Sequence, residues 1–157
     1  MKHFVITFWL LLLSVASFAQ QELDFATKFM ELNKANFNEL RCCTVSPYMM
    51  ERIMKLDTLE GNNNIRNILA QLKSIQIVEA HNSNNCDSLF VLATNLAKEN
   101  KRRYKLYANE EEKKVYLRKR NKVIVEMVLI SNPDNELNIV SITGNMDDGF
   151  IKELTDM

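Results

Sequence analysis

Lys113 to Gly144 reads KKVYLRKRNKVIVEMVLISNPDNELNIVSITG, three runs rich in valine, isoleucine and leucine divided by two turn-forming stretches. Val115 and Leu117 alternate with Tyr116 and Arg118, the period of two that a pleated strand imposes on its faces. In the second run Val123, Val125, Met127 and Leu129 form one row and Ile124, Glu126, Val128 and Ile130 the other. That run is apolar on both sides, which suits a strand inside a sheet. Lys119 to Lys122 supplies the first turn, with Asn121 suited to positive φ, and Ser131-Asn132-Pro133-Asp134-Asn135 the second. Leu137, Ile139, Val140 and Ile142 make the third strand, which Gly144 is expected to close. The stretch is a three-stranded antiparallel meander.

Working outward, Tyr104, Leu106 and Ala108 alternate as a strand that leads in through Asn109 to Glu112. Beyond Gly144, Asp147 opens a short helix carrying Phe150, Ile151 and Leu154. Upstream, Leu23 to Leu40 has Phe25, Phe29, Leu32 and Leu40 at helical spacing, with a lapse at Asn36. Arg41 to Val45 is a short strand, and Ser46-Pro47 places an N-cap directly before a first-turn proline. Met49, Met50, Ile53, Met54 and Leu56 continue as an apolar stripe. Asp57 to Asn64 is loop, Ile65 to Leu72 a short helix, Ser74 to Ala80 a strand, and Asp87 to Asn100 a helix with Leu89, Leu92, Ala93 and Leu96 on one face. Late strands joined by short turns are antiparallel neighbours, whereas the two early strands are separated by helices and are free to add in parallel. The expected class is α+β: a two-layer sandwich with a mixed, mostly antiparallel sheet and helices packed on one face.

At the start of the chain, Lys2 and His3 precede the apolar run Phe4 to Val15, and Ser17 and Ala19 fill the small-residue positions of a cleavage site. These are the parts of a secretory signal peptide, residues 1–19, cut after Ala19. The run falls short of the roughly 20 apolar residues that a membrane span needs, so the membrane is met only through the signal before cleavage. Residues 20–157 then form one α+β domain of 138 residues. Removing Lys2 leaves 19 basic against 20 acidic side chains, a balance that implies no polyanionic partner by itself. Three glycines and two prolines are too few for a linker or a low-complexity tail.

The exported N-terminus, Thr44-Val45-Ser46-Pro47-Tyr48-Met49-Met50, Leu72-Lys73-Ser74-Ile75-Gln76-Ile77 and Ile142-Thr143-Gly144-Asn145-Met146-Asp147 together resemble the domain of unknown function 4252 family, small secreted proteins of Bacteroidota. The resemblance spans nearly the whole mature chain and carries over no activity, cofactor or catalytic residue. Family members are often encoded beside extracytoplasmic-function sigma factors and their antagonists, which implies an envelope-stress or surface-signalling setting. The Cys42-Cys43 pair departs from the small or β-branched residues expected there.

The thiols are the first candidates for chemistry. An oxidising compartment permits a disulfide between Cys86 and either Cys42 or Cys43, of which only one can face Cys86 because neighbouring strand residues point to opposite faces. The competing expectation is three unpaired thiols that pack as small apolar residues. No Cys-x-x-Cys stands at a helix N-terminus to support redox chemistry. His81, the one histidine of the mature chain, is five residues from Cys86 in a polar loop with no orienting acid nearer than Glu79 or Asp87, and zinc would need two adjacent ligands. No catalytic residue, metal or cofactor is therefore expected. Met49, Met50 and Met54 are read as core filling, and Asp147-Asp148 as helix N-terminal acids.

The basic residues between Lys101 and Lys122 offer two readings. One is a solvated sheet edge answered by Glu110, Glu111 and Glu112. The other is a patch of Arg102, Arg103, Lys105, Arg118, Arg120 and Lys122 for an anionic surface ligand or an envelope protein. Nucleic acid is not expected, for want of a groove-reading or base-stacking motif. The expected function is that of an exported, non-catalytic binding or accessory module in the periplasm or at the cell surface. The alternative is a small periplasmic enzyme or thiol-redox protein using Cys86 and His81 or Cys42 and Cys43.

Overall fold

The computed structural model describes residues 23–34, 38–56, 63–81 and 84–155. The expected signal peptide and its expected cut after Ala19, and most of the stretch Asp57 to Asn64 expected to be a loop, lie outside them. Helix α1 spans Phe25–Leu32, β1 Arg41–Val45, α2 Pro47–Ile53, α3 Asn63–Ala70, β2 Leu72–Ala80, α4 Cys86–Glu99 and β3 Lys105–Asn109. The meander follows as β4 Lys113–Arg120, β5 Val123–Ser131 and β6 Leu137–Met146, and α5 Asp148–Thr155 ends the described chain.

One six-stranded sheet has the order β1-β2-β6-β5-β4-β3, and every neighbouring pair is antiparallel. The expectation of a mixed sheet is thus corrected. Alternating directions make β2 and β3 run the same way, joined through α4, but β6, β5 and β4 fill the space between them. The crossover exists without a parallel hydrogen-bonded pair, because the late meander turns back and lays its last strand beside β2. Both edges, β1 and β3, are only five residues long and largely exposed.

The helices do not keep to one face. Phe25, Ala26 and Phe29 of α1 and Leu89, Ala93 and Leu96 of α4 pack with Val78, Tyr116, Val128, Ile130, Leu137 and Ile139. On the opposite face Phe150 and Ile151 of α5 and Ile68 of α3 join Val115, Leu117, Met127 and Ile142. A central strand apolar on both sides needs cover on both, and here it has it.

Local chemistry explains most boundaries. Asn121 and Lys122 adopt φ of 50° and 73°, the two left-handed residues of the tight turn that matches strand twist. The second turn also holds left-handed residues, Asp134 and Asn135, after Pro133. Ser46 accepts from the Met49 N–H to cap α2, and Asp147 accepts from the Phe150 N–H at 2.7 Å to start α5. The first helix is shorter than its apolar spacing promised: it stops at Leu32, where the Asn33 side chain donates to the Phe29 carbonyl at 2.9 Å. Of the methionine stripe Met50 is buried, Met54 half-buried and Met49 exposed.

Two further corrections concern the meander. Gly144 does not end the third strand, which continues to Met146. A Cβ at Gly144 would stand 2.0 Å from the Gln71 carbonyl oxygen, so glycine is required by the close approach of the chain entering β2. A bulge between Ile124 and Glu126 breaks the two rows of β5. Ile124 therefore packs with Met127 rather than with Val128 and Ile130.

Candidate functional site

The β4–β5 hairpin lays Arg118, Lys119 and Arg120 at one end of the sheet, and the connection from α4 to β3 brings Arg102 and Arg103 to the same place. These five cations and Val125 line a hollow of about 310 Å³, and among the described residues no acid stands in its wall. The strand direction decides which basic residues meet. Lys113 lies at the other end of β4 and shares a separate hollow with Glu110, Glu111 and Glu112. Eight strand residues at about 3.4 Å each put roughly 25 Å between the two ends. The three glutamates thus stand far from the arginines. Of the six residues expected to form the patch, Arg102, Arg103, Arg118 and Arg120 converge. Lys105 pairs in register with Leu117 and Lys122 sits in the hairpin turn, and neither lines the hollow.

Beneath the arginines lies Glu126, fully buried. Its carboxylate accepts from the Phe25 N–H at 2.6 Å, the Tyr104 hydroxyl at 3.0 Å, the Arg118 Nε at 2.8 Å and the Ser141 hydroxyl at 2.9 Å. A buried carboxylate is tolerable when paired and fully hydrogen-bonded, and this one ties α1, the α4–β3 connection, β4 and β6 to β5. It also sets the Arg118 side chain at the floor of the basic hollow. Burial pushes the Tyr104 hydroxyl pKa well above the usual range, and the neighbouring Glu126 charge adds to it. Arg103 donates to the Leu23 carbonyl at 2.5 Å and stacks over the Tyr104 ring, with its guanidinium carbon 5.5 Å from the ring centre. Its buried Nε has no hydrogen-bond partner among the described residues. Lys119 pairs with Asp148 at 2.7 Å, an exposed bridge.

Glu126 carried a signal in sequence that the reading of the rows passed over: one acid within VIVEMVLI, at a position whose neighbours are all apolar. A charge there demands partners, and Arg118 opposite it in the hairpin register is one. The contributions of Phe25 and Tyr104, from distant parts of the chain, had no such local signal.

The remaining candidates do not assemble. Cys86 is fully buried at the start of α4, its thiol donating to the Ala80 carbonyl at 3.4 Å. Cys42 and Cys43 are exposed on the edge strand β1, and all three cysteines are free. The register puts Cys42 opposite Val78, on the face that holds Cys86, and Cys43 opposite Ile77 on the other. His81 is exposed between Glu79 and Glu136, each 3.5 Å from one ring nitrogen. Its ring is thus engaged with two surface acids while the Cys86 thiol faces the core. Among the described residues no group of three or more His, Cys, Asp or Glu is placed to hold a metal ion. No helix among them is long and apolar enough to cross a membrane.

Comparison with curated proteins gives no match. The family described as a domain of unknown function, DUF4252, matches residues 36–154. That span runs from just before β1 into α5 and includes every strand of the sheet, as well as Arg102, Arg103, Arg118 and Arg120. The chain belongs to the DUF4252 family.

Proposed function

We propose that this chain is an exported, non-catalytic binding module of the cell envelope that holds an anionic partner against Arg102, Arg103, Arg118 and Arg120. The observation that carries the reading is the hollow of about 310 Å³ in which four arginines and a lysine converge, with no acid in the wall among the described residues. Guanidinium groups are planar forks that match carboxylate and phosphate oxygens, and a concave site raises their local potential above that of scattered surface charges. Export rests on the apolar run Phe4 to Val15 and the small residues before Gln20. An envelope-signalling setting rests on the resemblance of the chain's motifs to a family often encoded beside sigma-factor systems.

The test is retention of residues 20–157 on an immobilised sulfated polysaccharide. The chain is expected to bind at low ionic strength and to elute as salt screens the contact. Replacing Arg102 and Arg120 together with glutamate is expected to abolish retention, whereas reversing Lys113 and Lys114 at the far end of β4 is expected to leave most of it. Equal loss from both reversals, or no retention of the unaltered chain, overturns the reading.

A further inference from the structure

Beside the arginine hollow, on the other side of Arg118, Arg120 and Val125, lies a second depression of about 860 Å³. The three residues line both, so the two depressions adjoin along this shared wall as the two halves of a trough. Its chemistry changes along its length. At the far end Ser74, Thr143 and Asn145 provide hydroxyl and amide groups beside the Lys73 ammonium, and the Ser74 and Thr143 hydroxyls lie 2.6 Å apart on neighbouring strands. Val123 and Val125 supply an apolar wall between the ends. The fold explains the opening: α1 begins at Phe25, capped by Asp24, and among the described residues none covers the sheet beyond that cap at this corner. Among the described residues Asp24 is the one acid in either wall.

We propose that the trough is a binding site for a phosphorylated saccharide, the phosphate ester held at the arginine end and the sugar hydroxyls at the Ser74–Thr143 end. This deepens the anionic-partner reading and rests on it. A phosphate ester offers several strong acceptor oxygens to forked guanidinium donors. A sugar ring offers the mixed donors and acceptors that serine, threonine and asparagine side chains complement, with carbon-bound faces for the valines. Other polyanions fit less well. Among the described residues no aromatic side chain lines either depression, so single-stranded nucleic acid finds no stacking platform there. The phosphorylated sugar is either free or the headgroup of a glycolipid, two sources with one recognition chemistry.

The experiment is amide chemical-shift titration of residues 20–157 with inorganic phosphate, glucose, glucose 1-phosphate and vesicles bearing a phosphorylated glycolipid. Glucose 1-phosphate is expected to move amides at both Arg102–Arg103 and Thr143–Asn145 and to bind at least about tenfold tighter than phosphate or glucose alone. Such a gain corresponds to about 1.4 kcal/mol from the second set of contacts. Replacing exposed Arg102 with alanine is expected to weaken phosphate and glucose 1-phosphate alike. The double change Ser74→Ala and Thr143→Val is expected to weaken glucose 1-phosphate and glucose and to leave phosphate unchanged. Asp24→Asn keeps a capping side chain and removes the acid from the wall, so both anions should bind severalfold tighter. Competition by the vesicles identifies a headgroup as the source, and its absence a free sugar. If phosphate and glucose 1-phosphate bind equally and only arginine-end amides move, the saccharide proposal is overturned and the anionic-partner reading stands. If neither binds, and the polysaccharide column does not retain the chain, both fall.

Discussion

At Glu126 four donors from four parts of the chain meet one carboxylate inside the core. Glutamine in its place keeps the shape but offers one acceptor oxygen and turns an amide toward donors, while Arg118 loses its countercharge. Breaking a buried pair from one side costs about 3–5 kcal/mol. Typical domain stability is only about 5–15 kcal/mol. Glu126→Gln is therefore expected to lower the urea midpoint sharply without changing the slope of the transition.

Two tyrosines offer a complementary measurement. Burial raises the pKa of both Tyr104 and Tyr116, and Glu126 adds to the effect at Tyr104. In the unfolded chain a tyrosine ionises near pH ~10, whereas the folded chain keeps these protons longer. Above that pH the unfolded state binds fewer protons than the native one, so stability is full below pH ~10 and falls as pH rises further. Denaturant titrations on either side of that pH, with tyrosinate absorbance, check the sign. The Tyr116 hydroxyl is buried with no partner among the described residues. Tyr116→Phe is accordingly expected to stabilise the fold by about 1 kcal/mol and to flatten the alkaline loss.

Among the elements, β6 depends on a residue it lacks a side chain for. Gly144 lets the Gln71 carbonyl approach, and that carbonyl accepts the Asn145 N–H at 2.8 Å. Alanine at Gly144 meets backbone rather than a yielding side chain, so the entry of β2 must shift and the bond must lengthen. Overpacking of this kind costs about 3 kcal/mol, on the order of 10 °C in Tm for a chain of this size. A thermal scan of Gly144→Ala against the unaltered chain measures it. The same elements mark what the sequence could convey. The meander was legible because period-two alternation and the turn residues Asn121 and Pro133 are local signals. Four of the six arginine-patch positions were legible for the same reason, since a hairpin folds residues near in sequence back toward one end. The approach at Gly144 and the insertion of β6 beside β2 were not, because each joins strands far apart along the chain, and the bulge before Glu126 was not, because nothing in the apolar run Val123 to Ile130 marks which residue is left unpaired. Helix placement was hidden too: apolar spacing tells that a helix has a buried face, not which side of the sheet receives it.

For the molecule as a whole, the family match starts at residue 36, yet α1, which precedes it, is part of the core. Phe25 and Phe29 are at most 1 % exposed, and the Phe25 ring meets Tyr104 edge-on with centres 5.6 Å apart. The Phe25 N–H is one of the four donors to Glu126. A chain beginning at residue 36 therefore loses two packed phenylalanines, about 3–6 kcal/mol of apolar burial, and uncovers the carboxylate and Tyr104. It also loses Asp24 and the edge that bounds the open corner of the sheet. Against typical domain stability the first loss alone removes most of the margin. The shortened chain is expected to lose its cooperative urea transition and to bind a dye for exposed apolar surface, while a chain beginning at residue 20 unfolds in one sharp step. If both unfold alike, α1 is an accessory, and the trough beside it is formed by the sheet and the α4–β3 connection without its help.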